Sequence, residues 1–223
     1  MKVCTYLNDG RERLGFIVGA DVVDAPTQFA DMRGFIRAGQ EGLRAAQAHV
    51  AKAARRPLSS VKLAAPIRPA TMLCSGSNYR DHNKEKANTP ISGKEPEFFV
   101  KTADCVIGHE DRIIYDEKLT KKLDAETELA VVIAKPGRHI PVERALEHVF
   151  GYTIVNDVTA RDRQVRRNDQ GFTWYELGRS KCFETSGPPA RGSSPPTRSA
   201  IRRSCACAPA STASCASRPR LRT

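Results

Sequence analysis

A chain of 223 residues with 40% hydrophobic and 27% charged side chains can bury a core of its own, and it contains no apolar run long enough to span a bilayer. The start, Met1-Lys2-Val3-Cys4-Thr5-Tyr6, lacks the apolar stretch of a signal peptide, so a cytoplasmic protein with no membrane partner is expected. The formal charge of +11 is concentrated at one end: Pro188 to Thr223 holds seven arginines and no acidic residue, leaving +4 for residues 1–187.

Residues 1–66 are expected to form a small leading domain. Lys2–Leu7 and Arg13–Val18 are strand candidates joined by the turn signal Asn8-Asp9-Gly10, and Ala20–Asp24 continues the meander. Leu43, Ala46, Val50 and Ala53 then recur at near-helical spacing until Arg55-Arg56-Pro57 breaks the pattern. Val61 to Pro69, with prolines at 66 and 69, is an extended linker into a main domain spanning 67–187.

In that domain Thr71 to Ser75 is a short strand leading through Gly76 into a polar loop that carries Tyr79, His82 and Glu85. On a helical turn His82 and Glu85 would share a face, and the carboxylate would raise the basicity of the imidazole; an exposed loop His beside an unrelated Glu is the bland alternative. Glu97–Lys101 is the next strand. Lys101 at its end either faces substrate or solubilises an edge. Val106–Tyr115 suggests a hairpin, and Val142–Val149 a helix.

Two further strands carry the strongest signal. Asp124 to Ile133 places Glu126 and Glu128 on one face, and Phe150 to Asn156 delivers Asp157 at its exit, followed by Arg161 and Gln164. Three carboxylates converging from two strands would make a hard oxygen site suited to Mg²⁺, Mn²⁺ or Ca²⁺, whereas Glu-x-Glu alone also fits the solvated face of an antiparallel sheet. The seven cysteines show no framework or zinc spacing and are expected to be free thiols.

Taken together, Ser75-Gly76-Ser77-Asn78-Tyr79-Arg80-Asp81-His82-x-x-Glu85, Phe98-Phe99-Val100-Lys101, Glu126-x-Glu128-Leu129-Ala130, Gly151-Tyr152-Thr153-x-x-Asn156-Asp157-Val158-Thr159-Ala160-Arg161-Asp162-x-Gln164 and Lys181-x-Phe183-Glu184 resemble the fumarylacetoacetate hydrolase family. The resemblance implies an α+β, mostly β fold, a mixed sheet roll behind a small N-terminal domain, and a homodimer. It implies Mg²⁺, or Mn²⁺ or Ca²⁺, on Glu126, Glu128 and Asp157, with His82 and Glu85 as a proton-moving dyad. Arg161, Gln164 and Lys181 are implied as contacts to the oxygens of a small 2-oxo or 2-hydroxydienoic acid, with Tyr79 and Lys101 expected beside them and Lys181 also holding developing enolate charge. Acylpyruvate-type C–C hydrolysis, hydroxymuconate-type isomerisation and decarboxylation all follow from such an enolate.

After Gly187 the resemblance ends. Residues 188–223 are rich in Arg, Pro, Ser, Ala and Cys and have no periodicity, so they are expected to be disordered, the product of a shifted reading frame, in place of the strands that complete the roll. Nucleic-acid binding through these arginines is the competing reading; without aromatic residues for stacking it is the weaker one, and no nucleic-acid partner is expected.

Overall fold

The computed structural model describes residues 2–76, 78, 79 and 97–189; His82, Glu85 and the Arg-rich segment from 190 onward lie outside the described residues. Strands β1 (Lys2–Asn8), β2 (Arg11–Val18) and β3 (Asp21–Asp24) form the expected meander, tightened at Asp9 and Gly10, whose φ angles of 49° and 73° give the left-handed turn that matches strand twist. Two short strands, β4 (Arg56–Pro57) and β5 (Lys62–Leu63), extend the sheet to the order β4-β3-β2-β1-β5. Tyr6 on β1 donates to Asp24 Oδ1 on β3 at 2.6 Å, and Arg56 on β4 reaches the same oxygen at 2.5 Å, so one polar cluster staples three strands.

Helices α1 (Met32–Arg37) and α2 (Gly39–Val50) cover this sheet. The Asp31 carboxylate accepts from Gly34 N–H at 2.7 Å and so caps α1, a helix that the spacing of apolar residues did not announce. The helix expected around Leu43 to Ala53 is α2, and it ends at Val50.

Beyond the linker, β6 (Thr71–Gly76) pairs with β7 (Glu97–Thr102), β8 (Leu123–Asp124) with β11 (Thr159–Ala160), β9 (Thr127–Ile133) with β10 (Val149–Asn156), and β12 (Val165–Arg167) with β13 (Thr173–Tyr175), all antiparallel. Two helical turns, α3 (Arg161–Gln164) and α4 (Leu177–Lys181), complete an α+β chain dominated by strands. Its main core cluster unites Val3, Leu14, Phe16 and Phe35 with Val132 of β9 and Phe150 of β10. Phe35 is fully buried and meets Phe16, Phe29 and Phe150 edge-on at centroid separations of 5.1–5.8 Å, so the ring is the pin between the leading sheet and the ribbon that bears the carboxylates.

Three sequence expectations change. Residues 142–148 are 3-10 turns instead of an α-helix; Val142 and Leu146 are 81% and 52% exposed, so among the described residues the segment buries no apolar face that would hold a helix. Residues 106–115 form no hairpin; Gly108 N–H is held by Asp111 Oδ2 and Ile114 N–H by Thr185 Oγ1, so side chains satisfy the backbone where a partner strand would. The strand expected over 124–133 is interrupted at Ala125 and Glu126. Among the described residues, no helix is long and apolar enough to cross a membrane.

Candidate active site

That interruption makes the site. β8 and β9 run along one side of a ladder and β11 and β10 along the other, with the pairs Thr159 to Asp124 and Asn156 to Thr127 on either side of a gap. Asn156 Oδ1 accepts from Glu126 N–H at 3.0 Å, and Glu126 C=O accepts from Asp157 N–H at 2.7 Å, so the backbone across the gap stays satisfied while pairing lapses. Glu126 and Asp157 both sit in the gap. Glu128 is the first inward residue of β9, on the face that continues through Ala130 to buried Val132. Carboxylate oxygens from Glu126, Glu128 and Asp157 thus lie within 4.8 Å of one another.

Lysines and an arginine answer this charge. Lys181, 5% exposed at the end of α4, donates from Nζ to Glu126 Oε2 and Asp157 Oδ2, both at 2.6 Å, and to Thr159 Oγ1 at 2.9 Å, with the Phe99 ring 5.1 Å away. Arg161 pairs with Asp124 Oδ2 at 2.9 Å through Nε and with Glu126 Oε1 through Nη2. Its Nη1 also donates to Gln164 Oε1 at 3.3 Å. The three residues implied as oxygen contacts therefore gather at one place, but here Arg161 spends its fork on protein carboxylates.

Lys101, read from the sequence as either facing substrate or solubilising an edge, is wholly buried, and its ammonium donates to the backbone carbonyls of Val158, Lys181 and Ser186 and to Ser186 Oγ. Its Nζ lies 2.9 Å from Asp157 Oδ1, close enough for charge compensation but off the hydrogen-bonding directions, so that buried oxygen has no hydrogen bond. The side chain of Lys101 alternates inward on β7 beside Phe99, and an inward strand position at a charged site serves the protein interior.

Tyr79 stands at the rim. Its hydroxyl accepts from Leu129 N–H at 3.1 Å, which leaves the O–H proton free to point elsewhere. Together with Gly76, Phe99, Gln164, Tyr175 and Leu177 it lines a cleft that opens onto the three carboxylates. Thr159, Asp124 and Tyr175 are parts that sequence reasoning missed. For Thr159 a signal existed, since a residue two beyond Asp157 shares its face; Tyr175 arrives on the β12–β13 hairpin, which the sequence did not announce.

The donor set fits a hard divalent cation. All three ligand candidates are carboxylates, one of them carries a buried oxygen with no hydrogen bond, and the Glu128 carboxylate has no hydrogen bond or ion pair among the described residues. Burial, reinforced by the negative charges of Asp157 and Glu126, pushes the Glu128 carboxyl up to about 7.

The chain is similar to several known proteins. Oxaloacetate tautomerase YisK of Bacillus subtilis (strain 168) is 50% identical over 122 residues, covering 54% of this chain and 40% of its own length. The human mitochondrial oxaloacetate tautomerase FAHD2A is 40% identical over 176 residues, 78% of this chain and 53% of its own. The chain spans about half the length of the curated relatives it matches. Among solved structures, the fumarylacetoacetate hydrolase of the psychrophile Exiguobacterium antarcticum superposes with a TM-score of 0.69 at 33% identity, over 87% of this chain and 66% of that one. Residues 71–206 match the model described as fumarylacetoacetate (FAA) hydrolase C-terminal, the stretch that holds all three carboxylates, Lys181 and both interrupted strands, and the chain belongs to the fumarylacetoacetate hydrolase family.

Proposed function

We propose that this protein is a divalent-metal-dependent enzyme that moves a proton on a short 2-oxo acid, interconverting the keto and enol forms of an oxaloacetate-like dicarboxylate. The observation that carries the reading is the meeting of Glu126, Glu128 and Asp157 within 4.8 Å at a break in the ladder, beside a cleft. Mg²⁺ or Mn²⁺ bound there would polarise the keto oxygen and acidify the hydrogens on the neighbouring carbon.

The chain's own residues supply the rest. Lys181 offers a buried ammonium, already oriented by Thr159 and Phe99, to an oxygen that gains negative charge as the proton leaves. Gln164 and the Tyr79 hydroxyl border the same cleft and can hold the substrate carboxylate. Arg161 acts through Glu126, fixing that carboxylate by an ion pair. His82, oriented by Glu85, is the proposed proton carrier, on the family resemblance. The relatives named oxaloacetate tautomerase favour proton transfer over C–C hydrolysis, which needs an activated water in addition. A homodimer in the cytoplasm acting on a small acid, without a nucleic-acid partner, belongs to the same proposal.

The test is the ultraviolet signal of enol-oxaloacetate decay with the purified full chain. Conversion above the buffer rate is expected with Mg²⁺ or Mn²⁺, lost on chelation and in Glu126→Ala. An equal rate in Glu126→Ala, or release of pyruvate-containing cleavage products from an acylpyruvate instead, would replace this reading.

A further inference from the structure

Behind the carboxylate cluster lies a second group of reactive side chains that the proposed chemistry does not use. Cys105 ends the 3-10 turn after β7 and is 1% exposed, while Cys182 directly follows α4 and is partly exposed. Their sulfurs are 3.8 Å apart although the residues are 77 positions apart in sequence. Thr102 Oγ1 lies 3.6 Å from Cys182 Sγ and 4.0 Å from Cys105 Sγ, so a hydroxyl sits against both thiols.

We propose that Cys105 and Cys182 form a dithiol that hydroperoxides convert reversibly to a disulfide, with Cys182 reacting first. The geometry assigns the order. Cys182 has the exposure to meet a small oxidant and accepts a hydrogen bond from the Cys105 thiol, while Cys105 waits within reach in the interior. Burial opposes ionisation of Cys182, but hydrogen bonds from Thr102 and Cys105 and the nearby Lys101 charge outweigh it and draw its thiol below the usual range. Cys4 and Cys74 are pushed up to about 12 by burial and are held as inert thiols.

Both steps balance. The Cys182 thiolate attacks one oxygen of the hydroperoxide; the O–O bond breaks, sulfur is oxidised to the sulfenic acid, and the released alkoxide or hydroxide takes up the thiol's proton. Cys105 sulfur then attacks the sulfenic sulfur; the S–O bond breaks, the S–S bond forms, and water leaves carrying the Cys105 proton. Bond formation closes the sulfurs from 3.8 Å to about 2.0 Å.

The experiment treats the full chain with stoichiometric hydrogen peroxide, blocks remaining thiols and maps tryptic peptides without reduction. The expected product joins peptide 102–112 to peptide 182–191, two hydrogens lighter than their sum, and dithiothreitol separates them. In Cys105→Ser a dimedone adduct accumulates at Cys182 with no cross-link; in Cys182→Ser neither forms. The wild-type map decides even where a variant fails to fold. Both peptides staying reduced, or either joined to Cys205, Cys207 or Cys215 instead, overturns the assignment.

Discussion

Lys181 shows what a single side chain contributes. It is a shared counter-ion of Glu126 and Asp157, and removing it leaves Glu126 to Arg161 alone and Asp157 to Lys101 alone, with one oxygen of each carboxylate stripped of its donor. Lys181→Met is therefore expected to destabilise the fold by about 1–3 kcal/mol in metal-free buffer. A divalent cation neutralises the same carboxylates, so Mn²⁺ should raise the melting temperature of this variant more than that of the wild type. Calorimetry with and without the ion checks both parts.

Glu128 sets a pH dependence. Its carboxyl is held up near 7 by burial first and by Asp157 and Glu126 next, so below that pH a proton occupies the group a cation needs. Mn²⁺ affinity is expected to fall by up to about tenfold per pH unit on the acid side of 7 and to level off above it. Titrations followed by electron paramagnetic resonance should show this, and Glu128→Gln should bind more weakly while losing that inflection.

At the scale of elements, the leading sheet depends on close contact between ladders. Gly15 on β2 lies opposite Cys4 on β1 and Asp24 on β3, and a methyl group there would sit 2.9 Å from a Tyr6 ring carbon and 3.0 Å from a Val22 methyl. Tyr6 cannot swing aside without giving up its 2.6 Å bond to Asp24. Gly15→Ala is thus expected to cost about 1–3 kcal/mol in urea melts, since overpacking outweighs the gain in strand propensity. The same coupling explains why a polar cluster on an otherwise exposed edge survives: Arg56 and Tyr6 share one Asp24 oxygen and fix the order of three strands.

Across the molecule, β9 is apolar on both faces but only one is covered. Val132 enters the core, while Leu129, Val131 and Ile133 are 44%, 48% and 60% exposed, with Ile154 of β10 beside Leu129 at 50%. An apolar row of this length favours association. Sedimentation velocity of the full chain should show concentration-dependent self-association that the double change Val131→Lys, Ile133→Lys reduces, with Mn²⁺ binding retained because Glu128 points to the opposite face.

The sequence by itself determined the carboxylate pattern and the strands that bear it. Alternation in β9 and β10, the Asn8 to Gly10 turn and the spacing from Asp157 to Gln164 are local facts, fixed by backbone periodicity and turn chemistry. It could not show that the ladder lapses at Glu126, because that break is a bargain between segments thirty residues apart, struck by Asn156 and Asp157. Only the tertiary structure turned Lys101 inward, set Lys181 among the acids and placed Cys105 against Cys182. Ion pairing and thiol contact depend on distances of a few ångströms in space, and a linear pattern carries no such distances.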